Sequence, residues 1–166
     1  AYQMDISSLE NVKQAVSKII SKHTVDYLLN NAGAGCFGPL TNLDYGEIET
    51  AIQTNVLGTI FLTKELLPHL LKQENSKIMN IISTAGQKGK VNESVYVASK
   101  FAVRGFTESL QKELEGQIRI IATYMGGMDT PFWDETNHIK DKSRLKSPRE
   151  VAEMIVAQDH QLEIQI

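Results

Sequence analysis

The sequence predicts an α/β fold: a three-layer, doubly wound parallel sheet with helices on both faces. Two observations carry this. Apolar residues alternate along the chain between helical spacing and short strand-like runs. Each such run is separated from the next by a whole helix, which excludes hairpins and implies parallel pairing through right-handed crossovers. In such sheets, ligands bind beyond the carboxyl ends of the strands. Three of the four predicted strands end in chemically suggestive residues: Asn30-Asn31-Ala32-Gly33, Ser83 and Met125-Gly126-Gly127.

The elements follow in order. Residues 7–22 read as a helix, with Ser7 and Glu10 in a capping-box pattern and Leu9, Val12, Val16, Ile19 and Ile20 at helical spacing. Residues 25–29 form a short buried strand that runs into the Asn30–Gly33 turn. A long helix is expected over 44–72, capped by Asp44 and Glu47, with Ile48, Ile52, Val56 and Ile60 as its inner face; Pro68 kinks it or ends its regular part. A strand at 77–83, a helix at 95–115 and a strand at 118–124 follow. Gly126-Gly127 opens a long loop reaching Lys146. Ser147-Pro148-Arg149-Glu150 then starts a helix, and the alternation from Leu162 to Ile166 suggests a last, half-exposed strand.

The 166 residues suffice for one domain with a substantial core. An apolar fraction of 42%, a charged fraction of 22% and a net charge of −3 are ordinary for a globular protein. No basic stripe points to nucleic acid, no apolar run is long enough to span a bilayer, and no signal-peptide pattern opens the sequence. The single cysteine, Cys36, has no metal-ligand neighbours and reads as a small packing residue. A cytoplasmic location is expected.

Tyr96 and Lys100 lie four apart and share one helical face. A tyrosine is a poor base near neutrality, but an adjacent ammonium favours its phenolate and lowers its pKa. By spacing alone the pair also fits a solvated helix face. Ser83 ends a strand before Thr84-Ala85-Gly86, where its hydroxyl would hold a substrate oxygen or make a local turn bond. Asn55 interrupts an apolar stripe, and an amide facing a core needs partners.

Taken together, Asn30-Asn31-Ala32-Gly33, Thr54-Asn55-Val56-Leu57-Gly58, Asn80-Ile81-Ile82-Ser83-Thr84-Ala85-Gly86 and Tyr96-Val97-Ala98-Ser99-Lys100 resemble the short-chain dehydrogenase/reductase family in order and spacing. The resemblance implies a Rossmann-type domain over residues 1–166 and an NAD(P)-dependent oxidoreductase interconverting a carbonyl and an alcohol. It makes Tyr96 the general acid/base. Lys100 would lower the tyrosine pKa and hold the nicotinamide ribose, and Ser83 would polarise the substrate oxygen. Asn55 would hold a water that extends a proton relay from Lys100. For the cofactor, NADP or NAD with NADP favoured, it implies contacts from Asn31, Ala32, Gly33, Gly126 and Thr130, and from Asp5 and Ile6 at the adenine. It also implies a homodimer or homotetramer through helices 44–72 and 95–115. A non-catalytic paralogue that binds dinucleotide or a partner is the alternative. A sugar-nucleotide epimerase or dehydratase is disfavoured by the short tail after residue 146.

The family opens with a strand and a glycine-rich T-G-x-x-x-G-x-G turn that binds the pyrophosphate. That turn does not occur here, so the first βαβ portion is expected to be missing from the chain as given. Met125 replaces the family's usual proline. The 127–146 region corresponds to the substrate loop. In it, Phe132 and Trp133 either close over a hydrophobic substrate or pack the loop on the core, and His138 is expected to be solvated. Residues 157–161 look short for the last connection, which suggests that residues are absent there too.

Overall fold

The computed structural model describes residues 1–134, 136, 138–139 and 141–166. Helix α1 (Leu9–Ile20) leads to strand β1 (Tyr27–Asn30). Helices α2 (Tyr45–Ile52) and α3 (Thr59–Leu70) are joined by a π-helical segment, Gln53–Gly58. Strand β2 (Lys77–Ile81), helix α4 (Ser94–Glu113), strand β3 (Arg119–Tyr124), helix α5 (Pro148–Ala157) and strand β4 (Glu163–Gln165) complete the order. The sheet runs β1-β2-β3-β4, all parallel, with Asn30 beside Asn80 and Ile81 beside Thr123.

Strand side chains alternate between two faces. Leu28, Ile78 and Ile120 pack with Val12 and Val16 of α1, Leu66 and Leu70 of α3, and Leu110 of α4. Met79, Ile81, Ile121 and Ile164 pack on the other face against Val151 of α5. Between sheet and helices lies a buried amide row. Asn30 Nδ2 donates to Asn80 Oδ1 at 2.8 Å and to Thr63 Oγ1 at 3.0 Å, and Asn80 Nδ2 donates to Thr107 Oγ1 at 2.9 Å. Each buried amide is thereby partnered, as a low-dielectric interior requires.

Four expectations change. Successive strands step in one direction across the sheet, yet α3 and α4 cover one face and α5 the other. The β3–α5–β4 unit therefore has the opposite hand to the two before it. Handedness rests on direct packing of a strand into its following helix, and here the residue 125–147 excursion intervenes. Second, α1 is capped by Ser8, whose Oγ accepts from Asn11 N at 3.3 Å, while Ser7 Oγ donates to the Asp5 carboxylate at 2.6 Å. Third, the buried face of the 44–72 rod is Ala51, Asn55, Thr59, Thr63, Leu66 and Leu70; Ile48, Ile52, Val56 and Ile60 are only half-buried. Small and polar groups face inward because Thr63 of α3 meets the amide row, while α2 and the π segment lie close to α4, where Asn55 bonds Ser99. Fourth, residues 158–162 do close the α5–β4 connection, through turn bonds such as Gln161 N to Gln158 O at 2.9 Å.

The Asp44–Glu47 capping box is present at α2, and Pro68 sits inside α3, which continues to Leu70. No helix among the described residues is long and apolar enough to cross a membrane.

Candidate active site

β2 delivers Ser83 to the carboxyl end of the sheet. Its backbone is left-handed, φ 75° and ψ 155°, a conformation that costs a non-glycine residue about 1–3 kcal/mol. Its Oγ accepts from Ala85 N at 3.2 Å. Gly86 ends this turn because a Cβ there would lie 2.4 Å from Ile82 Cγ2 and 3.0 Å from the Lys100 carbonyl. Glycine thus lets α4 approach the turn and brings Tyr96, in its first turn, beside Ser83.

Tyr96 and Lys100 are both buried, at 8% and 6% exposure. Lys100 Nζ donates to Ile81 O at 3.0 Å and stands 5.7 Å from the Tyr96 ring centroid. Burial pushes Tyr96 up to about 12; the Ser83 hydroxyl opposes this and Glu93 reinforces it. Burial lowers Lys100 to about 8. The expected lowering of Tyr96 by Lys100 is therefore overridden here. Loss of hydration penalises each charge, and the ammonium points at a backbone carbonyl rather than at the phenol.

Asn55 lies in the π segment, where the rod passes Ile6. A Cβ on Gly58 would lie 2.8 Å from Ile6 Cδ1, so glycine permits that contact. Asn55 Oδ1 accepts from Ala34 N at 2.7 Å, and its Nδ2 donates to Ala34 O and to Ser99 Oγ, each at 2.9 Å. The amide thus fastens the turn after β1 to α4. A Cβ on Gly33 would sit 3.3 Å from Asn55 Oδ1 and 3.9 Å from Lys100 Nζ, so Gly33 lies against both groups.

A cleft of about 360 Å³ joins these elements. It is lined by Asn31–Gly33 on one side, Ser83, Tyr96 and Lys100 at the base, and Gly126, Thr130, Phe132 and Trp133 above. Asn55 lies behind it and contributes no wall. Asp5 and Ile6 do not line it: the Asp5 carboxylate accepts from Ser7 N at 2.9 Å, and Ile6 packs on Gly58. Met125, in place of proline, accepts from Thr84 N through its carbonyl at 3.0 Å and buries its side chain beside α5.

The substrate-loop reading of 127–146 includes residues 135, 137 and 140, which lie outside the described residues. Trp133 Nε1 donates to Met128 O at 2.9 Å, so Trp133 packs the loop and lines the cleft at once. Phe132 faces Tyr96, with ring centroids 6.1 Å apart. His138 is not solvated as expected. It is partly buried, with Nε2 2.8 Å from Glu93 Oε1 and its ring stacked on Phe37. Phe37 and Glu93 escaped the sequence reading. Their available signals were a lone aromatic in the glycine-rich Ala34–Gly38 loop and an acid three residues before Tyr96. Cys36 is buried as expected.

This fold and this cleft define a dinucleotide-fold protein with a tyrosine–lysine–serine site. The family model for short chain dehydrogenases matches residues 1–141. The chain is 36% identical over 136 residues to a 3-ketodihydrosphingosine reductase of Bacteroides thetaiotaomicron, covering 81% of this chain and 51% of the relative. It is 30% identical over 168 residues to the 3-oxoacyl-(acyl-carrier-protein) reductase FabG of Thermotoga maritima, covering 93% and 67%. The structure of a short chain dehydrogenase of Escherichia coli CFT073 complexed with NADPH superposes with a TM-score of 0.88 at 26% identity, covering 99% of this chain and 73% of that one. The chain belongs to the short chain dehydrogenase family. It spans about half to two thirds of the length of these curated relatives.

Proposed function

We propose that the protein is an NAD(P)-dependent oxidoreductase that interconverts a carbonyl and an alcohol, with NADP favoured over NAD. The observation that carries this reading is the convergence of Ser83, Tyr96 and Lys100 in one cleft, with Asn55 braced behind them. The residues present fit a nicotinamide cofactor. Gly33 offers bare backbone against Lys100 and Asn55, where a Cβ would crowd both. Lys100 and Tyr96 would hold the ribose, with Asn31, Ala32, Gly33, Gly126 and Thr130 around it. Asp5 and Ile6 are assigned to the adenine on family resemblance. When bound, the cofactor supplies or takes the hydride.

The remaining chemistry belongs to this chain. In reduction, Ser83 Oγ–H donates to the carbonyl oxygen and Tyr96 Oη delivers the proton. With its pKa raised by burial, Tyr96 keeps its proton near neutral pH and so has one to give. Lys100 Nζ stabilises the phenolate left behind. Asn55, whose two N–H groups are spent on Ala34 and Ser99, uses its oxygens alone, from behind the cleft, to hold the water through which the proton is replaced. For oxidation the same groups run in reverse.

Residues 1–166 read as part of one Rossmann-type domain in which a further strand pairs with β1. Tyr27 and Leu29, 38% and 50% exposed on the unpaired edge strand β1, support this. The half-buried Ile48–Ile60 stripe and Phe101, 42% exposed, support a homodimer or homotetramer through helices 44–72 and 95–115. A cytoplasmic setting suits the single, buried Cys36.

The test is NADPH and NADH oxidation by the full-length protein against a carbonyl panel. Tyr96→Phe should lower kcat by at least ~100-fold. Full activity in that variant overturns the mechanism, and dinucleotide binding without turnover by the unmodified protein assigns a regulatory role instead.

A further inference from the structure

Glu93 is a buried carboxylate beside Tyr96 that the proton chemistry leaves unused. It occupies the N-cap position of α4, yet its side chain makes no capping bond. Instead Oε1 meets His138 Nε2 at 2.8 Å, with Lys90 Nζ 3.9 Å from Oε2. This bond ties the 127–146 loop to the start of α4 and seats the imidazole on Phe37, with centroids 4.6 Å apart and planes 12° apart. Phe37 also stacks on Trp133 at 5.3 Å and leans on Tyr96 at 5.1 Å. Its loop is pinned by the Gly38 N to Asn92 O bond of 2.8 Å. A Cβ on Gly35 would lie 2.5 Å from Phe37 Cε2, so glycine is what lets the ring fold back.

The ring borders one of two neighbouring spaces and packs behind rings that line the other. The catalytic cleft is lined by Tyr96, Phe132 and Trp133, each in ring contact with Phe37. Behind them is an outer cleft of about 510 Å³, bordered by Cys36, Phe37, Glu47, Asn92 and Thr136, with Phe132 lining both. The two are neighbours that share Phe132 as a wall.

We propose that Phe37 is a specificity-determining residue. Its ring, held by His138 and Glu93, backs Phe132 where that side chain separates the catalytic cleft from the outer cleft, and so selects compact aldehydes and ketones. The inference rests on the carbonyl-oxidoreductase reading. A substituent long enough to reach the outer cleft must displace a ring stacked on two others, and aromatic stacking resists that. Removing the ring takes away the support behind Phe132, so that side chain can swing into the vacated volume and give the chain room.

The test uses the full-length protein with NADPH and compares kcat/KM for 2-undecanone with that for 2-butanone. Phe37→Ala should raise this ratio by at least ~10-fold, the scale of one added or missing methylene in an apolar pocket. Phe37→Leu, which keeps apolar bulk without the flat ring, guards against misfolding of the alanine variant and should move the ratio in the same direction by less. His138→Gln keeps a donor for Glu93 but loses the stack, and should also raise the ratio. An unchanged ratio in both Phe37 variants overturns the proposal. If the unmodified protein reduces no carbonyl, the oxidoreductase reading fails separately. The wall is then read from calorimetric affinities for the same two ketones, where a ~10-fold relative gain in Phe37→Ala supports it and equal affinities overturn it.

Discussion

Replacing Lys100 by methionine should stabilise the protein near neutral pH while abolishing its chemistry. Burial lowers Lys100 from 10.5 to about 8. At about 1.4 kcal/mol per pKa unit, holding the ammonium charged in the fold below pH 8 costs roughly 3 kcal/mol. Its bond to Ile81 O offsets about 1–2 kcal/mol of this, since the donor is charged. Methionine fills a similar volume without the charge, so a gain of about 1–2 kcal/mol is expected. The sign can be checked against pH. Between about 8 and 10.5 the unfolded chain holds the lysine proton that the fold has lost, so stability rises with pH across that window. The methionine advantage therefore falls by roughly 3 kcal/mol across that window and has reversed by pH 10.5. Tyr96 acts in the opposite sense. Its pKa is raised from 10.0 to about 12, so the fold keeps a proton that the unfolded chain loses, and stability falls between those values. Tyr96→Phe should remove that fall. Urea unfolding of the full-length protein across this pH range measures both effects. A loss of more than about 1 kcal/mol in Lys100→Met near pH 7 would refute the desolvation argument, as would a flat profile from pH 8 to 10 in the unmodified protein.

Ser83→Gly relieves the left-handed backbone but removes the hydroxyl. Stability should hold or rise by up to about 1 kcal/mol, while kcat falls by ~100-fold; unfolding and turnover measured on one preparation show whether the two separate. Asn55→Ala removes three bonds from a site 1% exposed and strands Ala34 N, so unfolding should be easier by about 2–4 kcal/mol. Gly86→Ala drives a methyl group against Ile82 and the Lys100 carbonyl. It should cost about 1–3 kcal/mol and weaken dinucleotide binding as Lys100 shifts, which titration with NADPH will read.

Much of the fold was legible in local pattern. The apolar spacing of Val12 and Val16, the capping box at Asp44 and Glu47, and the Ser147-Pro148 start each dictate backbone geometry within a turn or two. The structure has an element where each predicts one. The 44–72 rod was misjudged for an instructive reason. Its isoleucines have the right period for an inner face, but the surface it meets is polar: Thr63 bonds Asn30 of the amide row, and Asn55 bonds Ala34 and Ser99. Period reports that a helix is amphipathic, and the shape and polarity of its neighbour decide which stripe is buried.

The sequence by itself determined the order of helices and strands, the strand ends that carry Asn31, Ser83 and Gly126, and the one-turn spacing of Tyr96 and Lys100. These follow from dihedral preferences and side-chain periodicity, which act over a few residues. Only the tertiary structure decided that α5 covers the second face, that burial raises Tyr96 and lowers Lys100, and that Phe37, Glu93 and His138 meet across three distant segments. Desolvation and stacking depend on which atoms surround a group after the whole chain has packed, and no stretch of neighbouring residues encodes that alone.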